Sequence, residues 1–189
     1  MPESNPPAEL QGISLDDLQK LAEDRKLPPV DRWNPDRCGH SGMRIGRDGT
    51  WYHEGSPIGR PAMARLFSTV LRREADGRHV LVTPVEKLDI DVDSTAFRAV
   101  EMNSEGEGRS RRIAFRLDSG DVVFLGEDHP LRIVSEEHGP SPRILVRHGL
   151  EAELVRPVYY ELVELALAEG HKPAGIWSNG TFFPLEEGE

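Results

Sequence analysis

Short segments in which apolar and polar residues alternate constrain the fold more than any other feature of this sequence. Four of them lie between residues 78 and 125, and "LRIVS", "PRILVR" and "EAELV" follow before residue 156. Alternation with a period of two is typical of a strand that buries one face. Asp-Gly and Ser-Gly pairs nearby allow tight turns. The sequence therefore predicts an α+β fold built on two small antiparallel β-sheet units, each with a helix.

The helices of the two units are predicted to begin at Arg-Pro pairs, because Pro is favoured at the first position of a helix. Apolar residues recur at helical spacing through residues 61–73 and 157–168. This spacing predicts one buried face for each helix. The residues expected to be buried are Leu66, Phe67, Val70 and Leu71 in the first helix and Leu162, Val163 and Leu167 in the second.

The Arg-Pro pairs place Arg60 and Arg156 at the helix cap positions. A cation there opposes the helix dipole, at a cost of roughly 0.3–1 kcal/mol. An anion bound at the exposed amides would remove this cost and contact the guanidinium as well. The alternative is that each Arg points outward or pairs with an acidic neighbour such as Glu54, Glu86 or Glu153. Because the arrangement occurs twice, it supports anion binding as a hypothesis.

Two predicted hairpins resemble each other, "IGRDGTWYH" at residues 45–53 and "IWSNGTFFP" at residues 176–184. We predict that Gly49 and Gly180 adopt positive φ in turns of matching type. Two other pairs are similar, "RPAMARLFSTVL" to "RPVYYELVELAL" and "GRHVLVTPVEKLDI" to "GDVVFLGEDHPLRI". The three pairs have different separations along the chain. Either a structural duplication or the shared requirements of turns and helices explains them.

Several stretches, among them "RDGTWYHEGSPIGRPAMARLFSTVLRREADG" and "LVRHGLEAELVRPVYYELVELA", resemble the bacterial family called domain of unknown function 1285, across about residues 28–185. The resemblance implies an α+β fold with a repeated core and a C-terminal half superficially like a pleckstrin-homology domain. It also implies a nucleotide-like ligand between the halves and a role in signal transduction. We expect an N-terminal tail and helix at 1–27, an N-terminal unit at 28–95, and a C-terminal unit with a closing hairpin at 96–189.

The Arg-Pro pairs and the resemblance together point to a cleft between the two halves. Aromatic residues on hairpins usually belong to the core, but two hairpins side by side could also stack a flat ring. The expected ligand-binding residues are Arg60, Arg156, Trp51, Thr83, Glu86, Arg147 and Trp177.

No segment carries a complete catalytic or nucleotide-binding signature. "GHSGM" resembles a nucleophile elbow around Ser41 but lacks the second outer Gly and a preceding strand. His53 and Glu54 are neighbours on a predicted strand and would point to opposite faces. The seven His residues show no zinc-ligand spacing. We therefore expect a non-catalytic protein that uses no metal and no cofactor.

The formal net charge of −10 argues against DNA or an anionic membrane as the main partner. A single Cys, Cys38, allows no internal disulfide framework and fits a reducing cytosol. The sequence shows no secretory signal and no membrane span, so we expect a cytoplasmic location. The leading interpretation is a ligand-binding or sensor protein for an anionic, nucleotide-like small molecule. A hydrolase or metal-dependent enzyme in the same groove, and a protein-interaction module with a protein partner, stay open.

Overall fold

The computed structural model describes residues 14–16 and 27–186. Most of the tail and helix expected within residues 1–27 lies outside them. From residue 38 onward the described chain forms two α-helices and fourteen β-strands. They are β1 (Cys38–Ile45), β2 (Trp51–His53), β3 (Ser56–Pro57), α1 (Pro61–Ser68), β4 (Leu71–Arg73), β5 (His79–Val82), β6 (Lys87–Val92), β7 (Phe97–Glu105), β8 (Arg112–Leu117), β9 (Val122–Phe124), β10 (Leu131–Glu136), β11 (Gly139–Arg147), β12 (Leu150–Leu154), α2 (Arg156–Glu169), β13 (Gly175–Ser178) and β14 (Thr181–Pro184).

The first sheet contains β1 to β6 in the spatial order β3-β2-β1-β6-β5-β4. Neighbouring strands are antiparallel except for the central pair, in which β1 runs parallel to β6 with Cys38 opposite Lys87. The sheet therefore consists of two three-stranded meanders, β1–β3 and β4–β6, which pair through β1 and β6, the first and last strands of the unit. α1 connects the meanders, because it lies in the chain between the edge strands β3 and β4.

The second sheet repeats this topology. Its spatial order is β10-β11-β12-β7-β8-β9, and its central pair is again parallel, with Phe97 of β7 opposite Ala152 of β12. The other pairs are antiparallel, and β13 and β14 form a separate two-stranded sheet. The predicted α+β fold with a repeated core is confirmed. Alternation did not reveal the parallel pairs, because it reports which face is buried and not the direction of the neighbouring strand.

The structural repeat does not follow the similar segments of the sequence. The hairpin β1–β2 lies inside the first sheet, whereas its counterpart β13–β14 lies outside the second. α1 stands between two meanders, whereas α2 follows both. By topology, β5 and β6 correspond to β11 and β12, not to β9 and β10. The similar segments therefore reflect the common requirements of turns and amphipathic helices.

α1 is shorter than predicted. It ends at Ser68, and the chain continues into β4, where Leu71 is fully buried. Phe67 and Val70 are half-buried and pack against the core. Leu66 is 65% exposed, so its predicted burial was wrong. Val70 and Leu71 continue the apolar spacing of the helix beyond its last residue, Ser68. Periodicity alone therefore could not locate the end of the helix.

α2 has the predicted position but a different buried face. Val158, Leu162 and Ala166 are buried at a spacing of four residues. Val163 is half-buried, and Leu167 is 66% exposed. The predicted burial of Leu162 is confirmed and that of Leu167 was wrong. The helix is rotated so that its contact with the core runs through smaller side chains.

The two Gly residues of the similar hairpins have positive φ as predicted, 85° at Gly49 and 77° at Gly180. Their turns nevertheless differ in type. Asn179 also has positive φ, 47°, which makes its turn type I′. Asp48 is not among the residues with positive φ, so the prediction of matching turn types was wrong.

One hydrophobic core joins the two sheets and α2. It includes Ile45 and Leu71 from the first sheet, Phe97 and Phe115 from the second, and Leu162 from α2, each at most 1% exposed. Because both sheets share this core, their junction is fixed by packing. Two cavities lie at that junction.

Candidate functional site

Residues 46–50, here called the bridging loop, reach from the first sheet to the second. Arg98 on β7 donates from Nη1 to the Asp48 carbonyl oxygen at 2.7 Å. Arg47 donates from Nη1 to Glu136 Oε2 at 3.1 Å. Arg47 lines one of the two cavities and Gly49 lines the other. The bridging loop therefore forms a wall shared by the two cavities.

The larger cavity, here called the α2 cavity, has a volume of about 500 Å³. It lies between the bridging loop, the β10–β11 hairpin and the start of α2. Its polar and aromatic lining residues include Arg47, Arg98, Glu136, His138, Glu153, Arg156, Tyr159 and Tyr160.

Positive charge exceeds negative charge on the wall of the α2 cavity. Arg156 is exposed and forms no ion pair with any residue in the described part of the chain. Arg98 donates to a backbone carbonyl and forms no ion pair with the described residues, although its charge acts on Asp48 and Asp118. Glu136 is shared between Arg47 and a second Arg on β11. Glu153 accepts a hydrogen bond from Ser94 Oγ at 2.9 Å. The cavity lining thus contains two carboxylates, those of Glu136 and Glu153, and three guanidinium groups.

The start of α2 adds a backbone donor to the same wall. Val155 is its N-cap residue, and no side chain of the described residues caps the helix. Arg156 is thus the first helical residue, and its predicted cap position was wrong by one residue, whereas Arg60 does occupy the N-cap of α1. The first N–H groups of a helix have no partner within it and attract anions. Here the Val155 N–H donates to the Ala99 carbonyl oxygen, the Tyr159 N–H donates to the Val155 carbonyl oxygen, and Pro157 has no N–H, so the Arg156 N–H is the donor next to the cavity. Val155 and Arg156 both line the cavity.

The smaller cavity, here called the Trp51 cavity, has a volume of about 280 Å³ and lies on the other side of the bridging loop. Trp51 stacks on Phe67 with 6.2 Å between ring centroids. Arg65 of α1 and Asp118 of the β8–β9 turn supply its charged groups. Asp118 Oδ1 accepts a hydrogen bond from the Arg98 N–H at 3.2 Å. Desolvation by the surrounding protein raises the pKa of Asp118 to about 6, although part of the side chain stays exposed.

Arg147 lies behind the Trp51 cavity rather than on its lining. Its Nη1 is 3.2 Å from Asp121 Oδ2, and its Nη2 donates to the Ser68 carbonyl oxygen at 3.3 Å. Its guanidinium carbon is 5.0 Å from the centroid of the Phe97 ring. Burial lowers the pKa of Arg147, which stays charged at neutral pH. Because Ser68 and Phe97 line the cavity, Arg147 supports its wall.

Besides Arg147, four of the predicted ligand-binding residues line neither cavity. Arg60 is exposed at the start of α1. Thr83 and Glu86 belong to the β5–β6 turn, in which Thr83 Oγ1 accepts a hydrogen bond from the Glu86 N–H at 3.2 Å. Trp177 lies in the two-stranded sheet, with the guanidinium carbon of Arg109 4.6 Å from its ring centroid.

The seven predicted residues are therefore not gathered in one cleft. Trp51 lines one cavity with Arg147 behind it, and Arg156 lines the other. Sequence reasoning missed Arg98, which lines the α2 cavity, and Asp118, which lines the Trp51 cavity. Arg98 occupies a polar position of an alternating strand, a pattern typical of any solvent-facing residue. The Asp-Ser-Gly turn after β8 was visible, but nothing local showed that it faces the other sheet.

The structure also places the residues that the sequence suggested for catalysis and metal binding. Ser41 Oγ donates to the Asp89 carbonyl oxygen at 2.8 Å. Glu54 has a positive φ of 49° in an exposed turn after His53. Residues 14–16 and 27–186 contain no group of three or more His, Cys, Asp or Glu arranged to hold a metal ion. Over the same residues, no helix has the length and apolar character needed to cross a membrane.

The fold defines a class of α+β protein in which two sheet units of one topology share a core. Family models match both units: the N-terminal domain of "Domain of unknown function (DUF1285)" at residues 28–95, and the C-terminal domain of "Protein of unknown function (DUF1285)" at residues 96–185. The chain belongs to the DUF1285 family, and the resemblance seen in the sequence is confirmed.

Solved structures of the same family are similar to this chain. A DUF1285 family protein from Silicibacter pomeroyi DSS-3 is 44% identical with a TM-score of 0.79, over 89% of this chain and 93% of that chain. A DUF1285 family protein from Shewanella baltica OS155 is 21% identical with a TM-score of 0.51, over 65% of this chain and 91% of that chain. The second likeness concerns the fold alone. No curated protein matches the chain.

Proposed function

We propose that this protein is a non-catalytic ligand-binding or sensor protein for an anionic small molecule, which binds in the α2 cavity. One observation carries the proposal: Arg156 lines a cavity of about 500 Å³ without an ion-pair partner among the described residues, beside Arg47 and Arg98. Guanidinium groups bind phosphate and carboxylate in a bidentate manner, which makes them suited to anionic ligands. The uncapped start of α2 supports binding of the same charge.

The lining also fits a nucleotide-like ligand. Small-molecule sites have volumes of about 300–1,000 Å³, and the α2 cavity lies within that range. Tyr159 and Tyr160 offer aromatic surface beside the cationic groups. A nucleotide-like anion would place its phosphate at Arg156 and its ring against a Tyr side chain. Signal transduction in the cytoplasm is the role that we propose for such a binding protein.

Calorimetric titration of the full chain with inorganic phosphate, pyrophosphate and adenosine monophosphate tests this proposal. Arg156→Gln should weaken binding at least about tenfold, because a hydrogen bond to a charged group contributes about 1.5–3 kcal/mol. Arg60→Gln is the matched control, since it changes the other Arg-Pro pair outside the cavity lining. It should bind like the wild type.

Two further readouts belong to the same experiment. The bound probe should raise the melting temperature, and the increase should shrink as salt is added. Phosphorus NMR should recover each probe unchanged after prolonged incubation, as a non-catalytic role requires. Equal affinity in the wild type and Arg156→Gln, or conversion of a probe, would contradict the proposal.

A further inference from the structure

The Trp51 cavity differs from the α2 cavity in size and in charge. Its volume of about 280 Å³ is just below the range of about 300–1,000 Å³ for small-molecule sites. This volume suits a metabolite smaller than a nucleotide. Its charged lining residues are one cation, Arg65, and one anion, Asp118.

Both charged groups lack an ion-pair partner among the described residues. Arg65 is half-buried on α1, and no carboxylate of residues 14–16 or 27–186 lies within ion-pair distance of it. Asp118 accepts a hydrogen bond from the Arg98 N–H but forms no ion pair within the same residues. Among the described residues, thirteen other Arg side chains carry an ion pair or a hydrogen bond to a carbonyl oxygen. The Trp51 cavity thus has one cationic and one anionic side chain that form no ion pair within the described part of the chain.

Apolar side chains make up part of the remaining wall of the Trp51 cavity. Trp51 is 8% exposed and stacks on Phe67. Ile58, Ala64 and Phe97 also line the cavity, and Thr50, Ser68 and Ser119 add polar groups. Asp118 is an exposed residue, and the surrounding protein desolvates its carboxylate in part, which raises its pKa. A ligand cation would restore the electrostatic partner that solvent supplies to a fully solvated carboxylate.

We propose that the Trp51 cavity is a second ligand site, which takes a small zwitterion of the free α-amino acid class. The ligand ammonium binds Asp118, the ligand carboxylate binds Arg65, and the ligand side chain packs against Trp51. This assignment goes beyond the proposed function of the α2 cavity, because the two sites share only the bridging loop.

Titration calorimetry of the full chain with L-serine, L-leucine and L-phenylalanine tests the assignment. At least one of them should bind with a dissociation constant below about 5 mM. N-acetyl-L-leucine and L-leucine methyl ester each remove one charge, and each should bind at least about tenfold more weakly than L-leucine. Binding of the two blocked compounds as tight as that of L-leucine would overturn the assignment.

Variants separate this site from the α2 cavity. Asp118→Asn and Arg65→Gln should each reduce amino acid affinity at least about tenfold, with folding of both checked by circular dichroism. Arg156→Gln should leave amino acid affinity unchanged, so failure of the proposed function and failure of this inference are distinguishable. Unchanged amino acid affinity in Asp118→Asn, or no binding by any of the three amino acids, would overturn the inference.

The pH dependence adds a readout specific to Asp118. Arg98 from β7 acts on the Asp118 carboxylate through its charge and its backbone N–H, and Asp48 of the bridging loop interacts with the same Arg98. Arg65 from α1 is the other charged residue that lines the cavity, and no His lines it. Amino acid affinity should fall as the pH decreases through about 6, because the protonated carboxyl no longer binds an ammonium. Asp118→Asn should lose this dependence, and a wild-type profile that is flat between pH 5 and 7.5 would contradict the role of Asp118.

Discussion

Asp118 is a single residue whose surroundings favour its protonated form. It lies at the β8–β9 turn, where the chain of the second sheet faces α1 and the bridging loop across the Trp51 cavity. Its folded-state pKa of about 6 exceeds its ordinary value of 3.8. The folded protein therefore binds this proton more tightly than the unfolded chain does. The stability that the proton contributes is present below about pH 4 and is lost as the pH rises through about 6.

Asp118→Asn should consequently raise the melting temperature at pH 7.5. The amide oxygen of Asn can still accept the hydrogen bond from the Arg98 N–H, while the partly desolvated charge is removed. At pH 4 the carboxyl of the wild type is protonated, so the two melting temperatures should converge. Differential scanning calorimetry at both pH values measures the difference, and a variant less stable than the wild type at pH 7.5 would contradict the prediction.

Asp48→Asn is a control with the opposite sign. Hydrogen bonds from the Thr50 N–H and hydroxyl lower the pKa of Asp48. Its contribution to stability is therefore present at neutral pH and is lost as the pH falls through its lowered pKa. This variant should melt below the wild type at pH 7.5, in the same calorimetric series.

At the scale of elements, α2 has one face that packs against the core and one that is exposed. Its contact with the core runs through Val158, Leu162 and Ala166, whereas Leu167 is 66% exposed. Because Leu162 is buried and Leu167 is exposed, substitutions of the two residues can be compared within one helix. Large-to-small substitutions cost stability only where the surrounding structure leaves a cavity.

Leu162→Ala should reduce the free energy of unfolding by about 2–5 kcal/mol, because this fully buried side chain would leave a cavity. Leu167→Ala should change it by no more than about 0.5 kcal/mol. Urea denaturation of both variants provides the comparison. Equal losses would mean that the packing of α2 described above is wrong.

Strands were predictable from the sequence because alternation and Gly turns are local signals. Each of the seven alternating segments forms strands, with β8 and β9 on either side of the Ser-Gly turn. Helix faces were less predictable, because a Leu such as Leu66 fits an apolar stripe whether or not another element covers it. The parallel contacts between β1 and β6 and between β7 and β12 join residues far apart in the chain, and no local pattern encodes them.

At the scale of the whole molecule, the junction between the sheets determines the candidate sites. Arg156 was identifiable from its Arg-Pro pair, but the groups around it were not. Arg47 and Arg98 come from other elements, and only the packing of the two sheets brings them to the start of α2. Composition and motif could indicate an anion site, whereas the shape of that site depends on tertiary contacts.

The ion pair between Arg147 and Asp121 should be important for this junction. Both side chains are mostly buried, and Arg147 also donates to the Ser68 carbonyl oxygen at the end of α1. Removing one partner of a buried pair costs about 3–5 kcal/mol. Arg147→Ala should therefore lower the free energy of unfolding by about that amount.

Arg78→Ala is the matched control for Arg147→Ala, because Arg78 forms ion pairs with Asp76 and Asp89 on the exposed surface. Solvent screens such pairs, so this variant should unfold at nearly the wild-type denaturant concentration. Chemical denaturation of both variants measures the contrast. A loss in Arg147→Ala no larger than in Arg78→Ala would show that the buried pair does not stabilise the junction.

The parallel central pairs also determine where the chain can be cut or lengthened. The first and last strands of each unit are neighbours at the middle of its sheet. A nascent chain that lacks the end of a unit would therefore leave its first strand with an open edge, a known hazard for aggregation. The middle of each unit, in contrast, reaches the outer edges of the sheet, where added residues disturb no ladder. Helix α1 itself occupies such a position. Each unit should therefore tolerate insertions at its midpoint but not the loss of its first or last strand.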